Sequence, residues 1–210
     1  MKIGELNEKK FDLIIWGATG YTGKLVCEYI FKNYKNTTLK WALGGRDKTK
    51  IKNLISSLNL TSIPYLIADS NNKNSLLDMT KMTKTICSTV GPYAKYGTLL
   101  VEACIESKTN YCDITGETQW IRKIIDKFHA KALESKVKII NACGFDSIPS
   151  DLGVFYAQKN MKENIGKYAS KIYMRVITMK GGVSGGTIHS FLNILKQSRK
   201  NKNILKIVKN

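Results

Sequence analysis

Apolar and polar residues alternate along the chain in blocks that predict strands and helices in turn. Continuous apolar runs, each bounded by polar or turn residues, predict six buried strands at 11–16, 38–44, 63–69, 84–91, 110–114 and 137–143. Segments with apolar residues at helical spacing predict the intervening helices at 22–34, 47–58, 73–82, 97–107 and 117–134. Because strands and helices alternate, we expect an α/β fold with a doubly wound, parallel sheet.

The pattern changes after the sixth strand. Residues 147–161 predict a helix, and residues 169–180 alternate like a half-buried strand. The pattern then predicts a glycine-rich loop at 181–186 and a basic helix from there through residue 210. One strand with its helices is too little to make a stable domain. We therefore expect a first domain over 8–148 and the beginning of an incomplete second, α+β domain over 149–210.

A glycine triplet follows the first predicted strand and opens the first predicted helix. Gly17, Gly20 and Gly23 are three residues apart in the stretch GATGYTG. In a Rossmann domain such glycines permit a tight turn, close approach of backbone to a pyrophosphate, and packing of the helix on the strand. Backbone N–H groups and the helix dipole then hold the phosphates. The context of strand, glycines and helix favours dinucleotide binding over a purely structural turn.

The end of the second predicted strand discriminates between the two nicotinamide cofactors. NAD-binding domains carry a carboxylate there, which binds the ribose hydroxyls. This chain has Arg46 instead, which can pair with the 2′-phosphate of NADP. Asp47 is adjacent, and we interpret it as the N-cap of the next helix. The sequence therefore favours NADP, with NAD as the weaker alternative.

Further candidate residues follow the third and fourth predicted strands. Ligands of open α/β sheets bind beyond the carboxyl ends of the strands. Asp69 is placed there to border an adenine pocket, or to begin a turn. Gly91 and Pro92 predict a turn after the fourth strand, and Tyr93 and Tyr96 are positioned either to wall the nicotinamide or to pack against the sheet.

Polar residues also follow the fifth and sixth predicted strands. Asp113, Thr115 and Glu117 lie in CDITGE, and Asp146 and Ser147 lie in GFDSIPSD. At the carboxyl edge, such groups can bind a polar part of a substrate or relay a proton. Asp146 or Ser147 can equally cap the following helix, and we favour capping for Ser147. Asp113, Glu117 and Asp146, together with Tyr96 after the fourth strand, are thus candidates for a substrate cleft.

Net charge and cysteine content narrow the class of protein. The charge is +18, but only four of the 34 basic residues are arginine, and the lysines are scattered along the chain. Proteins that recognise nucleic-acid sequence rely on arginine side chains, which donate paired hydrogen bonds to bases and phosphates. Because arginine is scarce in this chain, we expect no specific nucleic-acid partner. The five cysteines show no CxxC pair or metal-ligand spacing, which predicts free thiols and no metal site. The chain has no apolar run of about 18 residues and no signal-peptide pattern, so we expect a cytoplasmic protein.

Several motifs, taken together, resemble the saccharopine dehydrogenase-like oxidoreductases, a group related to the trans-acting enoyl reductases. The resemblance runs from about residue 11 to residue 190. It is carried, in order, by GATGYTG (17–23), GGRD (44–47), VGPYAKYG (90–97), EACIESKTNYCDITGE (102–117), GFDSIPSDLG (144–153) and GGVSGGT (181–187).

The resemblance implies a site and an activity for this chain. It implies NADP binding by the loop of Gly17, Ala18, Thr19, Gly20, Tyr21, Thr22 and Gly23, with Arg46 at the 2′-phosphate and Gly91, Pro92 and Tyr93 near the nicotinamide. The implied activity is hydride transfer to a small-molecule or lipid-linked substrate, with unknown catalytic residues.

Other implications concern the whole protein. Members carry a second domain, so we expect this chain to be truncated after its N-terminal Rossmann domain. A homodimer through the second domain and peripheral contact with a lipid droplet or membrane are also implied. The alternative is a non-catalytic nucleotide-binding or scaffold protein, which the missing Tyr-x-x-x-Lys proton-donor motif favours.

Overall fold

A computed structural model describes residues 9–178 together with residues 180, 182, 185, 188, 190 and 192. The described residues form six strands and six long helices in strict alternation up to the last strand. The strands are β1 (Phe11–Trp16), β2 (Trp41–Gly45), β3 (Tyr65–Ile67), β4 (Thr83–Ser88), β5 (Asn110–Asp113) and β6 (Ile139–Ile140). The helices are α1 (Tyr21–Tyr34), α2 (Lys48–Ser57), α3 (Lys73–Lys81), α4 (Tyr93–Glu106), α5 (Thr118–Glu134) and α6 (Ile148–Ile165).

The strands form one parallel sheet in the order β3-β2-β1-β4-β5-β6. This is the doubly wound arrangement of a Rossmann fold, in which the strand order reverses between β1 and β4. The predicted fold class is confirmed. The connections between parallel strands are right-handed. Because the strand order reverses between β1 and β4, the helices that connect the strands on either side of this point lie on opposite faces of the sheet.

Each face of the sheet has its own hydrophobic core. On one face Ile14 and Ile86 pack among residues of α3, α4 and α5, including Trp120. On the other face Ile15 and Leu43 pack among residues of α1 and α2. Successive residues of a strand point to opposite faces, so strands buried on both sides read as continuous apolar runs. Such runs are the pattern that predicted these strands.

The structure shortens several predicted strands, begins α4 earlier than predicted and extends α6 to Ile165, beyond the predicted end at residue 161. The sixth strand retains only Ile139–Ile140 of the predicted 137–143. The helix predicted at 97–107 begins four residues earlier, at Tyr93. Its first turn is stabilised by Glu117, whose two carboxylate oxygens accept hydrogen bonds from the N–H groups of Tyr93 and Ala94 at 2.8 and 3.0 Å. This contact between distant residues is not visible in local sequence.

The prediction of a strand at 169–180 is wrong for residues 169–178, which form neither a strand nor a helix. A strand requires a hydrogen-bonded neighbour, and no described strand pairs with this segment. Instead the side chain of Gln158 holds Ala169: its amide group donates to the carbonyl at 2.9 Å and accepts from the N–H at 2.8 Å.

Helix α6 differs from the other helices because none of its residues is buried. The predicted loop at 181–186 and basic helix through residue 210 lie largely outside the described residues. Of those positions, residues 185, 188, 190 and 192 are helical. The predicted domain boundary at residue 148 stays a prediction. Among the described helices, none is both long and apolar enough to span a bilayer.

Candidate functional site

A cavity of about 330 Å³ opens at the carboxyl edge of the sheet, where the strand order reverses. Ligands of open α/β sheets bind at this switch point. Loops that follow the first four strands supply most of its lining. The lining residues are Trp16, Gly17, Thr19, Gly20, Tyr21, Thr22, Gly45, Arg46, Asp69, Ser70, Asn71, Thr89, Val90, Gly91 and Tyr96.

The glycine turn forms one wall of the cavity. Gly17 has a φ of +88°, a conformation that favours glycine. Its N–H donates to the carbonyl of Gly44 at 3.0 Å, and the N–H of Gly20 donates to the carbonyl of Gly17 at 2.9 Å. A Cβ on Gly23 would overlap the carbonyl oxygen of Gly17, so the third glycine allows α1 to start directly against the turn.

The amino terminus of α1 faces this wall without a side-chain cap. Gly20 occupies the N-cap position and has no side chain that could cap the helix. The first turn of α1 contains no acidic residue. The first N–H groups of a helix have no partners within the helix, and together with the helix dipole they attract an anion. Of the predicted loop residues, Thr19, Gly20, Tyr21 and Thr22 line the cavity together with Gly17. Ala18 is fully buried and does not line it.

Thr89 joins the glycine turn to the end of β4. Its hydroxyl donates to the carbonyls of Trp16 and Gly17 at 3.1 and 3.3 Å, and its N–H donates to Trp16 at 2.9 Å. Sequence reasoning missed Thr89 and Val90 as lining residues. Both residues lie at the end of a predicted strand, just before Gly91, and this position at the carboxyl edge of the sheet could have identified them.

Arg46 lines the cavity directly after β2. The residue is exposed, and no described carboxylate lies within ion-pair distance of its guanidinium group. Asp47 is engaged elsewhere, because its carboxylate accepts a hydrogen bond from the N–H of Lys50 at 3.0 Å and caps α2. The interpretation of Asp47 as an N-cap is confirmed, and Arg46 is left as a cation facing the cavity.

Asp69 lines the cavity and also begins a turn, while its predicted place beside an adenine pocket stays a prediction. The residue is exposed and lines the cavity, and its carboxylate also accepts a hydrogen bond from the N–H of Asn71 at 2.8 Å. Its own N–H donates to the hydroxyl of Ser75 at 3.0 Å. These bonds fix the loop that borders the cavity next to β3.

The residues after β4 are divided between the cavity and the core. Gly91 and Tyr96 line the cavity, whereas Pro92 occupies the N-cap position of α4. Tyr93 is only 4% exposed; its ring packs on Trp120, and its hydroxyl donates to the carbonyl of Ser88 at 3.0 Å. Burial, followed by the nearby charge of Asp113, raises the pKa of Tyr93. Packing against the sheet is therefore the observed role of Tyr93.

Asp113 was predicted as a cleft residue, but its side chain is fully buried. It accepts hydrogen bonds from the Tyr111 hydroxyl at 2.8 Å, the Asn141 amide at 2.7 Å, and the N–H groups of Thr115 and Ala142, each at 3.1 Å. Burial raises the pKa of Asp113, although these hydrogen bonds oppose the shift. The carboxylate holds the loops after β5 and β6 together.

Glu117, the second predicted cleft carboxylate, is also fully buried. Besides capping α4, it accepts a hydrogen bond from the hydroxyl of Ser190 at 2.9 Å. Asp146 is exposed but does not line the cavity, and Ser147 occupies the N-cap position of α6 without a side-chain hydrogen bond. Of the four predicted cleft residues, the structure therefore brings only Tyr96 to the cavity.

Comparisons with known proteins agree with this geometry. Residues 13–140 match the model of the saccharopine dehydrogenase NADP-binding domain, which confirms the predicted cofactor. The chain is 34% identical over 193 residues to a trans-acting enoyl reductase of Mycobacterium tuberculosis, covering 90% of this chain and 46% of that protein. It is 32% identical over 206 residues to the Mycobacterium leprae protein of the same name, covering 96% and 49%.

A solved structure shows the same fold. Saccharopine dehydrogenase (L-Glu forming) from Saccharomyces cerevisiae superposes with a TM-score of 0.56 at 16% identity, covering 73% of this chain and 31% of that one. At that identity the likeness concerns the fold alone. The chain spans about half the length of the curated relatives that it matches.

Proposed function

Since the chain belongs to the saccharopine dehydrogenase NADP-binding domain family, we propose that it is the cofactor-binding part of an NADP-dependent oxidoreductase. One observation carries the proposal. The same cavity is lined by a glycine turn, by the uncapped start of α1 and by the guanidinium group of Arg46, with which no carboxylate of the described residues pairs. These are the groups that a dinucleotide with a 2′-phosphate requires.

The glycine turn and α1 would hold the pyrophosphate. Gly17 and Gly20 place backbone rather than side chains at the cavity wall, and the N–H groups that start α1 face the same space. A dinucleotide pyrophosphate needs this close approach of backbone and these donors. Thr89 would act indirectly, because its hydrogen bonds to Trp16 and Gly17 keep the turn in shape.

Arg46 would recognise the 2′-phosphate. A guanidinium group can donate two parallel hydrogen bonds to a phosphate, and charged donors bind more strongly than neutral ones. Asp47 leaves Arg46 free for this role because its own carboxylate caps α2. Without a carboxylate at the tip of β2, the ribose hydroxyls of NAD lose their usual acceptor.

We propose that the reaction is reduction of an activated double bond in a small-molecule or lipid-linked substrate. Support comes from the two mycobacterial relatives, both of which are named trans-acting enoyl reductases. NADPH, when bound, supplies the hydride. The residues of this chain would bind and orient the cofactor, and Gly91 and Tyr96 would border the side of the cavity next to α4.

The test has two stages. Calorimetric titration of the chain with NADPH should give saturable binding, and NADH should bind more weakly. Consumption of NADPH, followed by its absorbance, is then measured with an α,β-unsaturated thioester as substrate. Absence of NADPH binding would overturn the whole proposal, whereas binding without consumption of any enoyl, imine or carbonyl substrate would favour the second candidate below.

The second candidate function is nucleotide binding without catalysis, as in a scaffold or redox sensor. It is favoured by the burial of two of the three predicted cleft carboxylates, Asp113 and Glu117; the third, Asp146, does not line the cavity. Among the described residues that line the cavity, the carboxyl and phenol groups that could exchange a proton with a substrate are those of Asp69, Tyr21 and Tyr96. A homodimer, contact with lipid surfaces, a cytoplasmic location and the absence of a specific nucleic-acid partner stay predictions.

A further inference from the structure

Two cysteines lie directly opposite each other on neighbouring strands of the sheet. Cys87 of β4 is the register partner of Cys112 of β5. Residues paired in this way on parallel strands point to the same face, so their thiols are neighbours. Adjacent strands are about 4.7–4.9 Å apart, which falls within the Cα separation of about 4.4–6.8 Å that a disulfide requires.

The pair is less buried than two other cysteines of the chain. Cys87 and Cys112 are half-buried, whereas Cys27 and Cys104 are fully buried. Burial raises the pKa of Cys27 to about 12 and also raises that of Cys104. Since the thiolate is the reactive form, the two buried cysteines are expected to be inert.

The two thiols also interact with each other. The neighbouring Cys112 thiol lowers the pKa of Cys87, and the neighbouring Cys87 sulfur, together with burial, raises the pKa of Cys112. Cys87 is therefore the better nucleophile, with Cys112 positioned to react second.

We propose that Cys87 and Cys112 form a dithiol site that low-molecular-weight disulfides oxidise to an intramolecular disulfide. The Cys87 thiolate attacks one sulfur of the small disulfide and expels one thiolate, which leaves a mixed disulfide. The Cys112 sulfur then attacks Cys87 and expels the second thiolate. The two cysteine protons pass to the two released thiols, so the protein loses two electrons and the small disulfide gains them.

Cys143 is near the pair but is placed differently. It follows β6, its N–H donates to the carbonyl of Asp113 at 2.7 Å, and its thiol donates to the carbonyl of Ile140 at 3.5 Å. It is not a register partner of either Cys87 or Cys112. Cys143 is half-buried as they are, so Cys143→Ser is a matched control.

The experiment treats the fully reduced chain with oxidised glutathione, followed by alkylation and mass spectrometry under native and denaturing conditions. We expect loss of two of the five thiols and one cross-linked peptide that joins Cys87 to Cys112. Cys143→Ser should give the same cross-link, and Cys112→Ser should stop at a glutathione adduct on Cys87. Retention of all five thiols, or a cross-link that requires Cys143, would overturn the proposal. The result does not depend on cofactor binding.

Discussion

Replacement of Glu117 by alanine should destabilise the fold more than its position at the start of a surface helix suggests. The side chain is fully buried, and its two carboxylate oxygens accept from the N–H groups of Tyr93 and Ala94. In Glu117→Ala both N–H groups lose their partner inside the protein. An unsatisfied buried donor costs about 1–3 kcal/mol, so the two together cost about 2–6 kcal/mol.

The Ser190 hydroxyl adds little to this figure. It also donates to Glu117, but Ser190 is only half-buried, so its hydroxyl can turn to water. We therefore take about 3 kcal/mol as the expected loss in the free energy of unfolding. For a domain of about 150–250 residues, each 1 kcal/mol lowers the Tm by about 2–4 °C, so the expected decrease is about 6–12 °C.

Urea and thermal unfolding, followed by far-UV circular dichroism, measure the effect. Glu134→Ala is the matched control, because Glu134 lies in the last turn of the same helix, α5, and is exposed. Surface substitutions of that kind change stability by about 0.5 kcal/mol or less. If Glu117→Ala were no more destabilising than Glu134→Ala, the result would contradict the role of the Glu117 carboxylate as a buried cap of α4.

Two further predictions concern the cavity and the buried aspartate. Gly20→Asp places a carboxylate and added bulk at the start of α1, beside the proposed pyrophosphate site, and should abolish NADPH binding in a calorimetric titration while the circular dichroism spectrum is retained. Unchanged affinity would remove the glycine turn from the site. Burial raises the pKa of Asp113 above its unfolded value, so its contribution to stability is lost as pH rises from about 4 through the folded-state pKa. The stability deficit of Asp113→Asn relative to the native chain, measured by urea unfolding, should therefore shrink as pH rises through that range, and a deficit that grows would contradict the assignment.

Much of the fold could be predicted from the sequence because its signals are local. Apolar runs mark strands that are buried on both faces, and the glycine triplet and the Asp47 cap depend only on neighbouring residues. The saccharopine dehydrogenase-like resemblance is likewise confirmed, because it follows from ordered motifs along the chain.

The errors arise where contacts between distant residues decide the structure. The early start of α4 depends on Glu117, which is 24 residues away from Tyr93. Asp113 and Glu117 resemble cleft carboxylates in the sequence, yet hydrogen bonds from neighbouring loops draw both into the interior. The segment 169–178 has a strand-like alternation but lacks a neighbouring described strand with which to pair.

We propose that this cavity binds NADP and that Arg46 recognises its 2′-phosphate. The most direct measurement is the dissociation constant of NADPH and of NADH for the native chain and for Arg46→Ala. A hydrogen bond to a charged group contributes about 1.5–3 kcal/mol, so NADPH affinity should fall by about 10- to 150-fold while NADH affinity changes little. Equal weakening of both cofactors, or no weakening of either, would contradict the role of Arg46 and the proposed orientation of the cofactor.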